Sequence, residues 1–149
     1  MPRIFLDSNI LVYAATEQDM RKKRIAAVIL EHVKESSTGV ISLQVLRELA
    51  NALFRKSDYT SAEIQGIVET FHEMFPCVTD SFDLQLRAMA IKSKYDLQFY
   101  DALIMATAKA AGCDMVYSED MGDGVVYDGI TVKDPFKEDT PASKRRETK

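Results

Sequence analysis

Three aspartates stand where chemistry is most easily assembled. Asp7 follows the apolar run Ile4-Phe5-Leu6, and Asp120 follows Met115-Val116-Tyr117-Ser118-Glu119, so both sit where a buried strand would end. In open α/β sheets, ligands bind in the crevice beyond the carboxyl ends of the strands, which makes these two acids candidates to face each other. Each has an ordinary alternative, capping the helix or turn that follows it. Asp101 opens the nearly apolar run Asp101-Ala102-Leu103-Ile104-Met105-Ala106-Thr107-Ala108. A carboxylate projecting from so apolar a helix must be paired, hydrogen-bonded or bound to a metal, and an N-cap role is compatible with any of these. Glu48 shares a helix face with Gln44, Asn51 and Arg55, opposite Leu46, Ala50 and Leu53, and by itself reads as a solvent-facing glutamate. Glu119 and Asp123 are further acids near Asp120. Either could add a ligand or position a water, although Asp123-Gly124 reads first as a turn.

Carboxylates crowded into one pocket repel one another, and some would take up protons. Hard divalent cations relieve that repulsion, and Mg²⁺ or Mn²⁺ prefers oxygen ligands, waters and phosphate oxygens. Such an ion lowers the pKa of a water and stabilises charge on a phosphorus centre, and a second ion would stabilise the leaving oxygen. An acidic pocket thereby becomes a phosphate site.

The surrounding elements must deliver these groups. Short β-like runs alternate with longer helical ones, the pattern of an α/β fold with a largely parallel sheet. Arg3 to Leu6 reads as the first strand, and Asp19 to about Glu35 as a helix with Ile25, Val28, Ile29 and Val33 at helical spacing. Gly39 to Ser42 is a second strand, and Leu43 to about Lys56 a helix. Thr60-Ser61-Ala62-Glu63 is a capping box, with Tyr59 placed to staple onto Ile64, for a helix reaching about Met74. Phe75 to Val78 follows as a strand. Asp80 or Ser81 caps a helix to about Lys94, and another runs from near Tyr100 to a terminating Gly112. Met115 to Tyr117 and Ile130 to Val132 complete the sheet, expected to hold four to five strands. Residues 1–136 form a single domain, and the polar segment 137–149, without apolar anchors, is expected to be disordered.

Composition narrows the function classes. The 149 residues suit one domain with a proper core. No apolar run approaches the length of a membrane span, and Met1 leads directly into a strand without a signal-peptide core, so a cytoplasmic location is expected. Cys77 and Cys113 lack metal-type spacing and are expected to be reduced thiols. His32 and His72 have no partner motif, which argues against a histidine zinc site. The net charge of −4 is unlike that of a protein that holds nucleic acid by charge alone. The densest basic run, Arg21-Lys22-Lys23-Arg24, fits a solvated helix face as well as phosphate contact.

The stretches FLDSNILVYA, LRELANAL, FYDALIMATAKAAGCD and VYSEDMGDGVVYDGITVKDPF, in this order and spacing, resemble PIN-domain proteins, specifically the VapC-like toxin nucleases. The resemblance spans nearly the whole chain up to Phe136. It implies that Asp7, Glu48, Asp101 and Asp120 form an acidic quartet holding one or two Mg²⁺ or Mn²⁺ ions. Asp7, Asp101 and Asp120 would bind metal directly, and Glu48 would be a ligand or position the attacking water. Ser8, Asn9 and Ser118 would supply hydrogen bonds, with Glu119 in support. It further implies a central parallel sheet, a metal-dependent endoribonuclease, a homodimer, and a cognate antitoxin as inhibitor. Lys133-Asp134-Pro135-Phe136 departs from relatives that carry Asn before Pro-Phe, a difference that bears on a turn.

Other readings share parts of this pattern. Haloacid-dehalogenase-like phosphatases need a second Asp two residues after the first, where this chain has Asn9, and a receiver domain needs an acidic neighbour that Asp7 lacks. A non-catalytic binding module and a housekeeping RNA-processing nuclease would keep the same acids.

Overall fold

The last two residues of β1 (Arg3–Leu6) are completely buried, and the strand forms the middle of the sheet. It pairs in parallel with β2 (Gly39–Ser42) on one side and β4 (Cys113–Tyr117) on the other. β3 (Cys77–Val78) continues the sheet in parallel beyond β2, and β6 (Ile130–Lys133) does so beyond β4. β5 (Val126–Tyr127) adds an antiparallel edge, giving the order β3-β2-β1-β4-β6-β5. The computed structural model describes residues 2–137, so the expected disordered tail lies outside the described residues except for Lys137. The expected parallel sheet is present, with β5 as a sixth strand.

Six helices flank it. α1 (Ser8–Ala15) and α2 (Met20–Glu35) link β1 to β2, while α3 (Leu43–Lys56) and α4 (Ser61–Met74) link β2 to β3. α5 (Phe82–Tyr95) and α6 (Phe99–Ala110) cross back from β3 to β4. Because parallel crossovers are right-handed, the reversal of direction at β1 puts α5 and α6 on the face opposite α1 to α4. The same reversal opens a crevice between the carboxyl ends of β1 and β4, the usual ligand position in such sheets.

Caps set the helix starts. Thr60 and Glu63 make the expected reciprocal capping box on α4, and Ser42, Ser81 and Asp19 cap α3, α5 and α2. Tyr59, the residue before the Thr60 cap, donates its hydroxyl hydrogen bond to Ala15 O at 2.7 Å and so ties the start of α4 to the end of α1. Gly39 is required by packing, since a Cβ there would meet the Phe75 ring at 2.9 Å and Val33 at 3.0 Å. α1 departs from the expected layout. SNILVYAA buries three consecutive residues, Ile10, Leu11 and Val12, so it shows no polar face from which a helical period could be read. Cys77 and Cys113 are free thiols. Among the described residues no helix is long and apolar enough to cross a membrane.

Candidate functional site

Asp7 is the N-cap of α1, so the capping role and the pocket role coincide. Its Oδ1 accepts from Ser8 N at 2.8 Å, while its backbone N donates to Tyr117 O at 3.0 Å across the β1–β4 pair. Ser118, the first residue past β4 and fully buried, donates its hydroxyl to Asp7 Oδ2 at 2.7 Å. Ser118 Oγ in turn accepts from Asp120 N at 3.2 Å, which turns the chain after β4 back over the crevice. Asn9, one residue into α1, reaches the same place. Its Nδ2 lies 3.5 Å from Asp7 Oδ2, 3.2 Å from Ser118 Oγ and 3.2 Å from Asp120 Oδ2.

Asp101 and Glu48 come from the other sides. The N-cap of α6 is Gln98, not Asp101, and Gln98 makes no side-chain cap. Asp101 lies three residues inside, in the first turn, where its charge favours the helix N-terminus. Glu48 is half-buried rather than solvent-facing. Gln44, 6% exposed and one turn earlier on α3, donates Nε2 to Glu48 Oε2 at 3.4 Å and to Tyr100 O at 3.2 Å. The start of α6 therefore covers the beginning of that face at Gln44 and Glu48, which becomes the wall of a crevice, while Asn51 and Arg55 further along stay exposed.

The electrostatics tie the four carboxylates together. Burial pushes the Asp7 carboxyl up to about 7, with Glu48 and Asp101 adding to the rise and hydrogen bonds from Ser118 and Ser8 opposing it. Glu48 is raised by burial and by the charges of Asp101 and Asp120, against hydrogen bonds from Gln44 and Ser8. Asp101 is raised by burial and by Asp120. Each acid thus feels others contributed by elements distant in sequence, and Asn9 joins Asp7 to Asp120 directly.

Glu119, expected in support, and Asp123, which reads first as a turn, are both engaged elsewhere. Glu119 accepts from Tyr13 Oη at 2.6 Å and from Lys22 Nζ at 2.8 Å, while Lys22 also lies over the Tyr13 ring, 4.7 Å from its centroid. Lys22 thus leaves the basic run of α2 to hold this acid, and Arg21 donates to Phe136 O at 2.8 Å. Asp123 accepts from Asp134 N at 2.9 Å and takes part in the turn before the C-terminal segment, consistent with its turn reading. Tyr13, Lys22 and Gln44 were not singled out from sequence as supports. For Gln44 a signal existed, its spacing of one helical turn from Glu48.

Four carboxylates form an all-oxygen donor set suited to a hard divalent cation. Asn9 Oδ1 is buried with no hydrogen-bond partner among the described residues, an acceptor left open in the same pocket. As the side chains stand, no three His, Cys, Asp or Glu residues among those described are grouped tightly enough to hold an ion.

The geometry agrees with what the chain is similar to. A structure titled as a toxin–antitoxin complex from Klebsiella pneumoniae superposes with a TM-score of 0.66 and 22% identity, covering 89% of this chain and 97% of that one. VapC20 of Mycobacterium tuberculosis, described as a sarcin–ricin-loop-cleaving toxin, gives 0.62 and 19%, covering 79% and 90%. DNA-bound VapBC from Salmonella typhimurium gives 0.67 and 19%, covering 91% and 99%. No curated protein matches the sequence. The profile of the PIN domain matches residues 4–122, a span that takes in β1, β4 and all four carboxylates, and the chain belongs to the PIN-domain family.

Proposed function

We propose that the chain is a divalent-cation-dependent endoribonuclease that acts as the toxin of a toxin–antitoxin pair. The observation that supports this reading is the Asn9 link between Asp7 and Asp120 at the β1–β4 crevice, with Glu48 and Asp101 near enough for their charges to help raise Asp7, chiefly raised by burial, to about 7. Membership of the PIN-domain family supports it, as do structural neighbours described as toxins and toxin–antitoxin complexes.

Asp7, Asp101 and Asp120 hold Mg²⁺ or Mn²⁺ in this reading. The half-buried and exposed members of the set have the freedom to turn inward as repulsion is relieved. A bound ion supplies Lewis acidity toward phosphate oxygen and water. The chain's own residues do the rest. Ser118 and the Ser8 N–H fix the Asp7 carboxylate, and Asn9 spans Asp7 and Asp120. Glu48, braced by Gln44 and raised above an ordinary glutamate, orients the attacking water and takes its proton as the water oxygen bonds to phosphorus, while the bond to the ribose oxygen breaks and that oxygen takes a proton from solvent.

The acidic mouth also suits inhibition. An antitoxin that inserted a basic side chain would neutralise the carboxylates and block phosphate in one contact. A homodimer is supported by α5, where Phe82, Leu86 and Met89 recur at helical spacing and are 78%, 49% and 55% exposed. Asp83 and Arg87 form an ion pair along one flank of that stripe. Antiparallel two-fold pairing brings matching flanks together, so Asp83 of one protomer would face the partner's Arg87.

The deciding experiment is cleavage of total cellular RNA with Mg²⁺ or Mn²⁺, comparing wild type with Asp101→Asn and with EDTA. Cleavage is expected only for wild type with metal. Undiminished cleavage in EDTA or by the variant would overturn the mechanism.

A further inference from the structure

Resting on the ribonuclease reading above, we propose that the groove beside Glu48 is a nucleobase subsite, seating one nucleotide that flanks the scissile phosphate. The groove has a volume of about 420 Å³ and is lined by Gln44, Arg47, Asp80, Phe99 and Tyr100, with Glu48 as its wall toward the acid pocket. That volume lies within the roughly 300–1,000 Å³ of pockets that enclose small ligands. Because Glu48 belongs to both places, a chain whose phosphate meets the carboxylates runs directly into the groove.

Three side chains give it a ligand preference. Tyr100 leaves 59% of its surface exposed at the first turn of α6, although most of that ring is apolar and only its hydroxyl is served by water. Its position is fixed, because Phe99 meets it edge-on with ring centroids 5.4 Å apart and Gln44 Nε2 bonds its backbone carbonyl at 3.2 Å. An exposed ring on a rigid element is the platform on which single-stranded bases stack. Arg47 is 64% exposed and spends part of its guanidinium on Asp80, which leaves donors for a phosphate oxygen one nucleotide along. Gln44 is buried with Nε2 committed to Glu48 and Tyr100, while its Oε1 has no partner among the described residues. Leaving a buried acceptor unpaired is costly, and a donor from a base edge that reached Gln44 Oε1 would remove that cost. The groove therefore combines a stacking face, a phosphate cation and a base-reading acceptor next to the acids.

The test measures binding of a random single-stranded RNA pool with Mn²⁺ present, in the Asp101→Asn background so that the RNA stays whole. Adding Tyr100→Ala is expected to weaken binding by roughly 5- to 150-fold, the range for loss of one stacked base. Arg47→Ala should weaken binding less, and Tyr100→Phe, which keeps the ring, should restore most of the affinity. With Asp101 intact, cut sites mapped on total cellular RNA should lose base preference next to the cleaved bond in Tyr100→Ala. Thermal melting unchanged from the parent protein excludes a folding defect, as expected for an exposed ring. Unaltered affinity and unaltered cut-site preference in Tyr100→Ala would overturn the subsite alone. A change of oligomeric state with unaltered affinity would overturn it too, by assigning the ring to a protein interface. A wild-type chain that neither binds nor cuts RNA would bring down the ribonuclease reading and the subsite with it.

Discussion

Ser118 donates its hydroxyl hydrogen bond to Asp7 Oδ2 at 2.7 Å, across 111 positions of sequence. The bond joins the ends of two adjacent parallel strands and orients a carboxylate whose other oxygen is held by Ser8 N. Ser118→Ala should leave the fold intact but release Asp7 from its working orientation. Groups that orient metal-ligating carboxylates are worth 10- to 100-fold in affinity or activity. A loss of about that size is expected in single-turnover RNA cleavage, and titration with Mn²⁺ should show weakened binding.

Asp7 predicts an inverted pH dependence for the metal-free protein. Its folded pKa is raised to about 7 from an ordinary 3.8, so the folded state holds this proton where the unfolded state has lost it. Stability from this group is therefore greatest below about pH 4, falls as pH rises toward 7, and stays low above that. Asp7→Asn has no charge to bury. The variant should melt higher than wild type at about pH 8 without metal, with the gain vanishing toward about pH 4. Mn²⁺ should raise the wild-type melting temperature and leave the variant's little changed. Calorimetric scans across that range check both statements.

The Lys22–Glu119 pair is only partly exposed, with 26% and 19% of the two side chains accessible. After allowance for solvent screening it should contribute about 1 kcal/mol, beyond a typical surface pair because Tyr13 shares the acid. Lys22→Met should lower stability by about 1–2 kcal/mol in urea unfolding, since it leaves a half-buried carboxylate without its cation. A double-mutant cycle with Glu119→Gln should return a coupling near 1 kcal/mol. A coupling indistinguishable from zero would mean that Glu119 is held by Tyr13 alone.

Leu86 sits at the centre of the exposed stripe of α5. Leu86→Asp places a charge where a dimer would be dry, so sedimentation should show a monomer across concentrations at which wild type is dimeric. The variant should largely keep its melting behaviour at low concentration, because about half of Leu86 is already exposed in the single chain. A wild-type chain that sediments as a monomer at every concentration would remove the interface altogether.

Much of this arrangement was legible before any coordinates. Strand ends and helix caps are local signals, so Asp7, Asp120 and the box at Thr60 could be placed from their neighbours alone. Helix α1 escaped because a short element buried on nearly every side has no amphipathic period. Strand β5 escaped because two residues between glycine turns acquire strand character only by pairing with β6. Glu48 reads as surface because only its end of an otherwise exposed polar face is covered, and only in three dimensions, when the first turn of α6 arrives over Gln44. Asp101 was placed on the correct helix, but its position inside the first turn followed from Gln98 starting that helix. The engagement of Glu119 by Lys22, 97 positions away, had no local trace at all.

The adjacency of β1 and β4 has a bearing on how the protein is made. Asp7 leaves the ribosome well before its partners, since Asp101 on α6 follows about 90 residues later and Ser118 after β4 lies 111 positions on. Contacts of such long sequence separation close late, after shorter-range elements have formed. A nascent or truncated chain therefore lacks the paired strand ends and holds its carboxylates apart. A pocket built from these four carboxylates can therefore close only after the segment through Asp120 has left the ribosome and β4 has paired with β1.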